Sequence, residues 1–407
     1  MSSDTLKIRT YRSLDELETL RPSWNRLLES YPLATTFCTP EWLIPWWRSF
    51  GNNQQLLVAG WFDETSRPVA IAPLSSTPMQ IAPAVSLKLL RLMGDGSHDS
   101  DNLDLPVLPG FEDRFAESLL RYLPNQRGLW DFCELNTMPP QSPGANALRQ
   151  MLLRQKWIVS ENDRPASAIA LPATWEEYLR QLSSKERGKI GLRTRKLEKK
   201  YKVRIRKCAD ESEIDSFLEA LYELHGKHWQ LRGLPGTLHA PARRQFYGEL
   251  ARLLLQQRRL ELWVLELNEK IVAAQFALRY QTTVFSLQEG FDPDYSADSV
   301  GYVLRSQVLK QLIADGIRRY DFLGGADESK LRWGAEPGHY LDLRFARPFS
   351  AGAAYLRTLD CAAQTKSWLR HNLPETVWQI LHKANVGIRE RDKKAGSIKS
   401  SEKQEQD

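Results

Sequence analysis

A weak internal repeat runs through most of the 407-residue sequence and restricts its fold more than any other feature. In the first copy, a helical segment at residues 40–50 precedes two apolar runs, 56–62 and 69–74, which a short polar turn joins. The same order returns between residues 243 and 278. Two apolar runs with a tight polar connection are typical of a β-hairpin, so each copy predicts a helix followed by a hairpin.

Both copies continue in the same way, with a third strand, an acidic loop, a helix and a buried strand. The last two elements fall at residues 111–123 and 130–135 in the first copy, and at 301–313 and 320–323 in the second. A helix that connects parallel neighbours in one sheet is typical of α/β proteins. We therefore predict an α/β fold with tandem domains, each a mixed β-sheet flanked by helices.

Chain length and breaker residues suggest where the domains end. A chain of this length exceeds what one hydrophobic core usually holds, and Pro139, Pro140 and Pro143 mark a loop between the copies. The end of the chain is charged and nearly free of large apolar side chains, as in disordered segments. The predicted units are an N-terminal domain at 1–160, a second domain at 161–350, a C-terminal helical segment at 351–388 and a disordered tail at 389–407.

Composition narrows the class of protein. Apolar residues at 42% and charged residues at 26% are typical of globular proteins. No apolar stretch reaches the roughly 20 residues needed to cross a bilayer, and no signal-peptide pattern opens the chain, so we expect a cytoplasmic location. The four cysteines are scattered without a CxxC pair, which argues against a disulfide framework or a zinc site. A net charge of +6 permits an anionic partner.

A helix start in the second copy is the first candidate site. Ser299, Val300 and Gly301 lead directly from a loop into a helix, where unpaired backbone N–H groups can hold a pyrophosphate. The first copy has Pro106 and Pro109 in the same region, and proline has no N–H to donate. The cofactor site is therefore predicted in the second copy, although an ordinary helix cap has the same sequence pattern.

Several segments together resemble a known family. Residues 287–293, 299–301 and 320–334 resemble GNAT acetyltransferases associated with cellulose and exopolysaccharide biosynthesis, and residues 37–46 look like the N-terminal signature of that family. The family in turn resembles the aminoacyl transferases that build peptidoglycan cross-bridges. The resemblance implies tandem GNAT-like (acyl-CoA N-acyltransferase) domains, a degenerate first and a catalytic second. It also implies acetyl-CoA or another acyl-CoA as co-substrate, and cofactor binding by Ser299, Val300, Gly301, Tyr302 and Val303. No metal is expected, because the cysteines and histidines offer no ligand set.

The implied reaction is direct transfer, in which an amine or hydroxyl attacks the acyl carbonyl. Such a reaction needs a base for the proton of the acceptor and a donor for the developing oxyanion. Glu289, beside the strand where GNAT folds splay apart, is the first candidate base, and Asp327 is the second. Tyr302 is the candidate acid for the departing thiolate. The alternative for Glu289 is a solvated carboxylate at a strand end.

Other residues are predicted to contact the substrate. Lys330 and Trp333 share one helical face, where the lysine can bind an anionic group and the tryptophan can pack, in the site or in the core. His225 and His228 also share a face, but no third ligand lies nearby in sequence, so a metal site is disfavoured. The predicted substrate-binding residues are Trp229, Arg232, Gln275, Lys330 and Trp333.

Residues 185–207 form a basic run with twelve Lys or Arg and two Glu. Such a density can bind tRNA phosphates or an anionic membrane surface, while a solvated helix face is the simpler reading. DNA is not an expected partner.

The expected function is transfer of an acetyl or short acyl group to an amine or hydroxyl, on a small-molecule or glycan acceptor such as an exopolysaccharide precursor. The alternatives are an aminoacyl-tRNA-dependent transferase and a non-catalytic binding subunit of a polysaccharide synthesis system. The acceptor, the acyl length, the oligomeric state and the role of the first copy stay open.

Overall fold

A single mixed β-sheet dominates the computed structural model, which describes residues 6–230, 236 and 238–372, without the side chains at positions 228, 366, 371 and 372. The described strands are β1 (Lys7–Tyr11), β2 (Gln55–Phe62), β3 (Pro68–Ala82), β4 (Val85–Leu92), β5 (Phe132–Met138), β6 (Ile158–Ala170), β7 (Val203–Lys207), β8 (Leu260–Leu267), β9 (Lys270–Tyr280), β10 (Thr283–Phe291), β11 (Arg319–Gly324) and β12 (Glu336–Ala346).

Eleven α-helices are described, and all but the last lie in the same compact unit as the sheet. They are α1 (Leu14–Glu29), α2 (Pro40–Phe50), α3 (Glu112–Tyr122), α4 (Pro143–Arg154), α5 (Trp175–Gln181), α6 (Ser184–Lys200), α7 (Glu211–Gln230), α8 (Pro241–Gln256), α9 (Val300–Ala314), α10 (Glu328–Leu331) and α11 (Ala351–Asn372). Strand β8 is buried at every position, as expected when both faces of a strand are covered.

The strand order makes the internal repeat visible. The order is β1-β2-β3-β4-β5-β12-β6-β11-β10-β9-β8-β7, so five strands of each half run inward from opposite edges. The pairs β4/β5 and β10/β11 are parallel, and the other neighbouring pairs are antiparallel. The prediction of tandem repeats with mixed-sheet α/β architecture is confirmed.

The two central strands connect the halves, because each of them pairs with a strand of the other half. Strand β6 follows the first half in sequence but pairs with β11 of the second, while β12 follows the second half and pairs with β5 of the first. The two also pair with each other, from Glu336↔Ala168 to Ala346↔Ile158. The chain up to Pro348 forms one compact unit. The predicted boundary at 160/161 lies inside β6, and the domain limits stay a prediction.

Aromatic residues at the predicted N-terminal signature are core residues. Trp42 is fully buried, and its ring makes edge contacts with Phe37 and Phe246 at centroid distances of 4.8 and 5.0 Å. Edge-to-face contacts of this kind add to the free energy gained from burial. Because Phe246 lies on α8, this cluster fixes α2 of the first half against the second half.

The remaining sequence-based expectations concern the end of the chain, cysteines and membranes. The second compact unit begins at Phe349 and contains α11, while the predicted tail at 389–407 lies outside the described residues. Cys38, Cys133 and Cys208 are buried and Cys361 is exposed, all with free thiols. Within the described part of the chain, no helix combines the length and apolarity that a membrane crossing requires.

Candidate functional site

The site is built where β10 and β11 separate. These parallel strands pair only from Thr283↔Arg319 to Phe285↔Asp321. Beyond that point, β10 has a bulge against β9 between Ser286 and Gln288, and β11 turns at Leu323, whose φ is 62°. Bulges commonly redirect a strand beside an active site. The separation opens the middle of the sheet and exposes backbone that would otherwise be paired.

Two cavities flank this opening. The first, about 340 Å³, is called here the α9 cavity and is lined by the start of α9 together with Gln275, Glu289, Arg193, Arg332 and Trp333. The second, about 360 Å³, is called the junction cavity because its walls come from residues 98–101 of the first half and from β10, β11 and Lys330 of the second. Glu289, Arg305 and Ser329 line both cavities.

The start of α9 presents unpaired donors to the α9 cavity. Ser299 has a left-handed backbone, with φ 57° and ψ 40°, and its side chain makes no cap hydrogen bond. Among the described residues, none accepts a hydrogen bond from the N–H groups of Val300, Gly301 or Tyr302. Free N–H groups at a helix start, together with the helix dipole, favour an anion such as a phosphate.

The five predicted cofactor residues contribute differently. Gly301 is accessible, because an added Cβ would meet nothing closer than Phe291 at 3.5 Å. The side chains of Val300 and Val303 are buried, so those residues can act only through their backbone. The N–H of Val303 already donates to the Ser299 carbonyl at 3.0 Å, and Val303 does not line the α9 cavity. The structure thus brings Ser299 to Tyr302 together at the cavity and leaves Val303 out.

Tyr302 forms one wall of the α9 cavity. Its ring packs on Trp333 with centroids 4.4 Å apart, and the Arg193 guanidinium lies over the ring, 4.3 Å from its centroid. Its hydroxyl lies 3.3 Å from a Glu186 carboxylate oxygen, to which it can donate. Burial, reinforced by that carboxylate, raises the pKa of Tyr302 to about 12. The phenol therefore stays protonated, as the predicted role of an acid requires.

The two candidate bases are both engaged. Glu289 is half exposed and forms an ion pair with Arg305, whose side chain is only 13% exposed. Asp327 caps α10 by accepting from the Ser329 N–H at 2.8 Å and from its hydroxyl, and this hydroxyl hydrogen bond lowers the pKa of Asp327. A lowered pKa weakens a carboxylate as a base. Asp327 therefore stabilises the start of α10, while Glu289 lines both cavities.

The predicted substrate residues are only partly brought together. Gln275 is buried in the wall of the α9 cavity and donates to the Tyr320 hydroxyl. Lys330 lines the junction cavity, where its ammonium donates to the carbonyl oxygens of Phe322 and Gly324, and burial lowers the pKa of Lys330. The Lys330 side chain thus stabilises the turn that follows β11.

Of the remaining predicted substrate residues, Trp333 lines the α9 cavity and Trp229 does not. Trp333 is fully buried and packs against Tyr302. Trp229 donates to His225 at 2.7 Å and lines neither cavity. Arg232 lies outside the described residues. Within the described residues, no three His, Cys, Asp or Glu side chains lie close enough to share a metal ion.

The first half adds acidic residues to the junction cavity that the sequence did not single out. Asp101 accepts a hydrogen bond from the Gly324 N–H at 2.8 Å, and burial raises the pKa of Asp101 to about 6. Asp99 is buried in an ion pair with Arg243 at 3.0 Å. Their sequence signal is only an acidic loop after the third strand, and their approach to the second half depends on tertiary structure.

In the first half, the segment before α3 occupies the position that corresponds to the α9 cavity of the second half. The segment before α3 is bonded to β3, since Ile71 N–H donates to the Pro106 carbonyl and Leu108 N–H to the Val69 carbonyl, at 3.0 and 2.8 Å. An added Cβ at Gly144 would lie 2.4 Å from the Leu105 carbonyl oxygen, so α4 packs tightly on this segment. The second half is therefore the one with an accessible helix start beside its separated strands.

The basic run divides between α6 and β7. Ile190 and Leu197 bury one side of α6, while Lys185, Arg195, Lys196 and Lys199 are exposed on the helix. Several other basic side chains are neutralised by ion pairs, including Lys200 with Asp298 and Lys207 with Glu261. The α6 residue Arg193 also lines the α9 cavity, so the basic surface adjoins the candidate site.

The mixed sheet, its separated parallel strands and the free helix start together define a tandem GNAT-type fold. In agreement, residues 184–331 match the family model of the acetyltransferase (GNAT) domain. A search of curated proteins gave no match to this sequence.

Solved structures extend the similarity over both halves. The crystal structure of FemX superposes with a TM-score of 0.59 at 10% identity, over 84% of this chain and 97% of FemX. A conserved protein of unknown function from Bacteroides thetaiotaomicron VPI-5482 gives a TM-score of 0.50 at 13% identity, over 84% of this chain and all of that one. A tandem GNAT protein from the clavulanic acid biosynthesis pathway gives 0.44 at 13% identity, over 84% and 98%. At these identities the similarity concerns the fold.

Proposed function

We propose that this chain is an acyltransferase that moves an acetyl or other short acyl group from acyl-CoA to an amine or hydroxyl acceptor. The observation that carries the proposal is the α9 cavity, where three free N–H groups face a space that also holds Arg193 and Arg332. Two guanidinium groups and a helix start form a suitable environment for the diphosphate of CoA.

The acyl group of a donor in the α9 cavity would reach the opening between β10 and β11. The acceptor would then enter from the junction cavity, on the other side of Glu289 and Arg305. Glu289 is the proposed base and Tyr302 the proposed acid for the leaving thiolate. Asp101 is a second candidate base, because a carboxylate whose pKa burial raises to about 6 accepts protons near neutral pH.

The acceptor is proposed to be a sugar or exopolysaccharide precursor. This part depends on the family resemblance of the sequence, because fold alone does not fix a substrate. The junction cavity offers carboxylates and a lysine, which can hydrogen-bond polyhydroxylated or amino-bearing acceptors.

A second donor, aminoacyl-tRNA, is favoured by one observation. The exposed basic residues of α6 lie on the helix that also supplies Arg193 to the α9 cavity. A nucleic acid bound along α6 would place its end near the same opening, and its affinity would fall with salt. The non-catalytic alternative required a blocked helix start, whereas Gly301 is accessible.

Donor competition tests these alternatives. The full chain is incubated with labelled acetyl-CoA or with charged tRNA, and bound label and transfer to amino sugars are measured. The proposal expects saturable acetyl-CoA binding that the triple variant Arg195→Gln, Lys196→Gln, Lys199→Gln leaves within about twofold of wild type. Retention of charged tRNA that this variant abolishes would instead support the second donor, and retention of neither would contradict the transferase function.

Replacing the proposed base separates binding from chemistry. Glu289→Gln keeps the size of the side chain and removes its basicity, so we expect turnover to fall by about 10²-fold or more, while acetyl-CoA affinity stays within about threefold. Steady-state kinetics and calorimetric titration measure the two quantities. A fully active variant would transfer the role of base to Asp101 or to water.

A further inference from the structure

Glu289, Arg305 and Ser329 line both cavities, and Arg305 is the one with a positive charge. It lies on the second turn of α9, and its side chain is 13% exposed. Aromatic rings enclose the guanidinium, with the centroids of Phe322 and Trp333 at 5.2 and 5.7 Å from its Cζ atom. A cation is seldom placed in such surroundings unless its hydrogen-bonding partners are provided.

The Glu289 carboxylate and the Tyr320 hydroxyl are partners of this guanidinium, but they leave its Nε–H unused. One Nη atom donates to the Glu289 carboxylate, but the Nε–H is buried and has no acceptor among the described residues. A buried N–H without an acceptor costs free energy, which a ligand oxygen can recover. The position of the side chain, on the wall between the two cavities, indicates where that oxygen would come from.

We infer that Arg305 is a catalytic residue that donates a hydrogen bond to the acyl carbonyl oxygen; this inference rests on the proposed transferase function. The lone pair of the acceptor forms a bond to the carbonyl carbon, and the C=O π electrons move to the oxygen, which Arg305 stabilises. The electrons then return, the bond from carbon to the CoA sulfur breaks, and the sulfur leaves with its electron pair and takes a proton from Tyr302. The base removes the proton of the acceptor.

Stabilisation by Arg305 would be stronger in the transition state than in the bound donor. The oxygen gains negative charge only during the reaction, and a fixed, buried donor needs no reorganisation when this charge appears. Loss of Arg305 should therefore lower kcat and leave the KM for acyl-CoA nearly unchanged.

The competing explanation is that Arg305 acts only through Glu289, by holding or neutralising its carboxylate. A double-variant comparison separates these roles. In the Glu289→Gln background there is no carboxylate to hold, so a residue that acts only through Glu289 would no longer matter. Removing both members also avoids leaving a lone charge buried, which protects the fold of the double variant.

The test measures kcat and KM for acetyl-CoA in Glu289→Gln and in Glu289→Gln/Arg305→Met. We expect kcat to fall a further 10²-fold or so in the double variant, the size of effect typical of one oxyanion donor, with KM within about threefold. In the wild-type background, Arg305→Lys should retain at least about ten times the kcat of Arg305→Met, because lysine restores a cationic donor. Arg252→Met, on the half-exposed surface of α8, is the matched arginine control and should have wild-type kinetics.

Two outcomes would overturn the inference. Equal kcat values for Glu289→Gln and the double variant would show that Arg305 acts only through Glu289, and a parallel loss of acetyl-CoA binding with kcat would make Arg305 a structural or donor-binding residue. Both outcomes leave the transferase function intact. If the wild-type chain transfers an acyl group from neither acetyl-CoA nor charged tRNA, the proposed function fails, and the role of Arg305 fails with it.

Discussion

Backbone N–H groups are the donors that the start of α9 offers to the proposed cofactor, because the side chains of Val300 and Val303 are buried. The identity of the residue at position 301 matters mainly through its N–H and through the space above it. A hydrogen bond to a charged oxygen contributes about 1.5–3 kcal/mol, so one such donor can change affinity by roughly 10- to 100-fold.

Gly301→Pro tests this donor directly. Proline fits the first turn of a helix but has no N–H, so we expect the fold to persist and acetyl-CoA affinity to fall at least about 10-fold. The matched control is Asp113→Pro, at the second position of α3 in the first half. Calorimetric titration and circular dichroism compare the two variants, and unchanged binding by Gly301→Pro would move the donor site away from α9.

The raised pKa of Tyr302 predicts how kcat depends on pH. Because burial raises the pKa of Tyr302 to about 12, its phenol remains an acid through the alkaline range. We expect no loss of wild-type kcat from Tyr302 ionisation between pH 8 and 10.5, and a kcat for Tyr302→Phe lower by about 10-fold or more throughout. An alkaline limb near pH 10 that disappears in Tyr302→Phe would contradict this assignment.

At the scale of residues, the sequence predicted the backbone part of the site better than the side-chain part. Ser299 to Tyr302 and Glu289 are contiguous with recognisable motifs, so resemblance located them. Arg305 and Asp101 were missed, because a charged residue on a helix or in an acidic loop usually faces solvent. Their burial depends on neighbours that are distant in sequence.

At the scale of elements, one buried carboxylate joins three elements of the first half. Asp104 accepts hydrogen bonds from the Tyr31 hydroxyl after α1, from the Ser142 hydroxyl that caps α4, and from the Leu105 N–H at 2.7 Å. This network holds the segment that fills the first copy, where the second copy has its cavity.

Asp104 should make the free energy of unfolding decrease as the pH rises, whereas most carboxylates in folded proteins make it increase. Burial raises the pKa of Asp104 from 3.8 to about 6, so the folded state binds its proton more tightly than the unfolded state. The contribution of Asp104 to stability is therefore largest below pH 4 and decreases as the pH rises through 6. We expect Asp104→Asn to become more stable relative to wild type between pH 4 and 7, by on the order of 2–3 kcal/mol.

Urea unfolding at a series of pH values measures this difference. Asp113→Asn, an exposed aspartate on α3, is the control whose curve should follow that of wild type. Parallel curves for Asp104→Asn and wild type would show that Asp104 has the same proton affinity in the folded and unfolded states.

At the scale of the whole molecule, the repeat in the sequence predicted the two halves but not their fusion. Alternating apolar residues indicate that a segment is a strand and which face is buried, but they do not specify its neighbour. The repeat pattern therefore indicated neither the strand at 158–170 nor the strand at 336–346, and the predicted boundary at 160/161 falls inside the first of them. In the structure each completes the sheet of the other half, because both lie at its centre.

This exchange predicts that the halves share one unfolding equilibrium. Leu135 on β5 and Leu343 on β12 are register partners and are fully buried. Leu135→Ala should lower the free energy of unfolding by about 2–5 kcal/mol. Strand β5 pairs with β12, β12 pairs with β6, and β6 pairs with β11 of the second half. The loss should therefore appear in the second half as well as in the first.

Native-state hydrogen exchange resolves this prediction by strand. In Leu135→Ala, the most protected amides of β9 should lose as much protection as those of β2, although β9 lies far along the sheet from the substitution. Exposed Leu153→Ala on α4 is the control and should leave both strands unchanged. If β2 loses protection while β9 retains it, the halves unfold separately, and the central strands would then be a contact between two domains rather than the core of one.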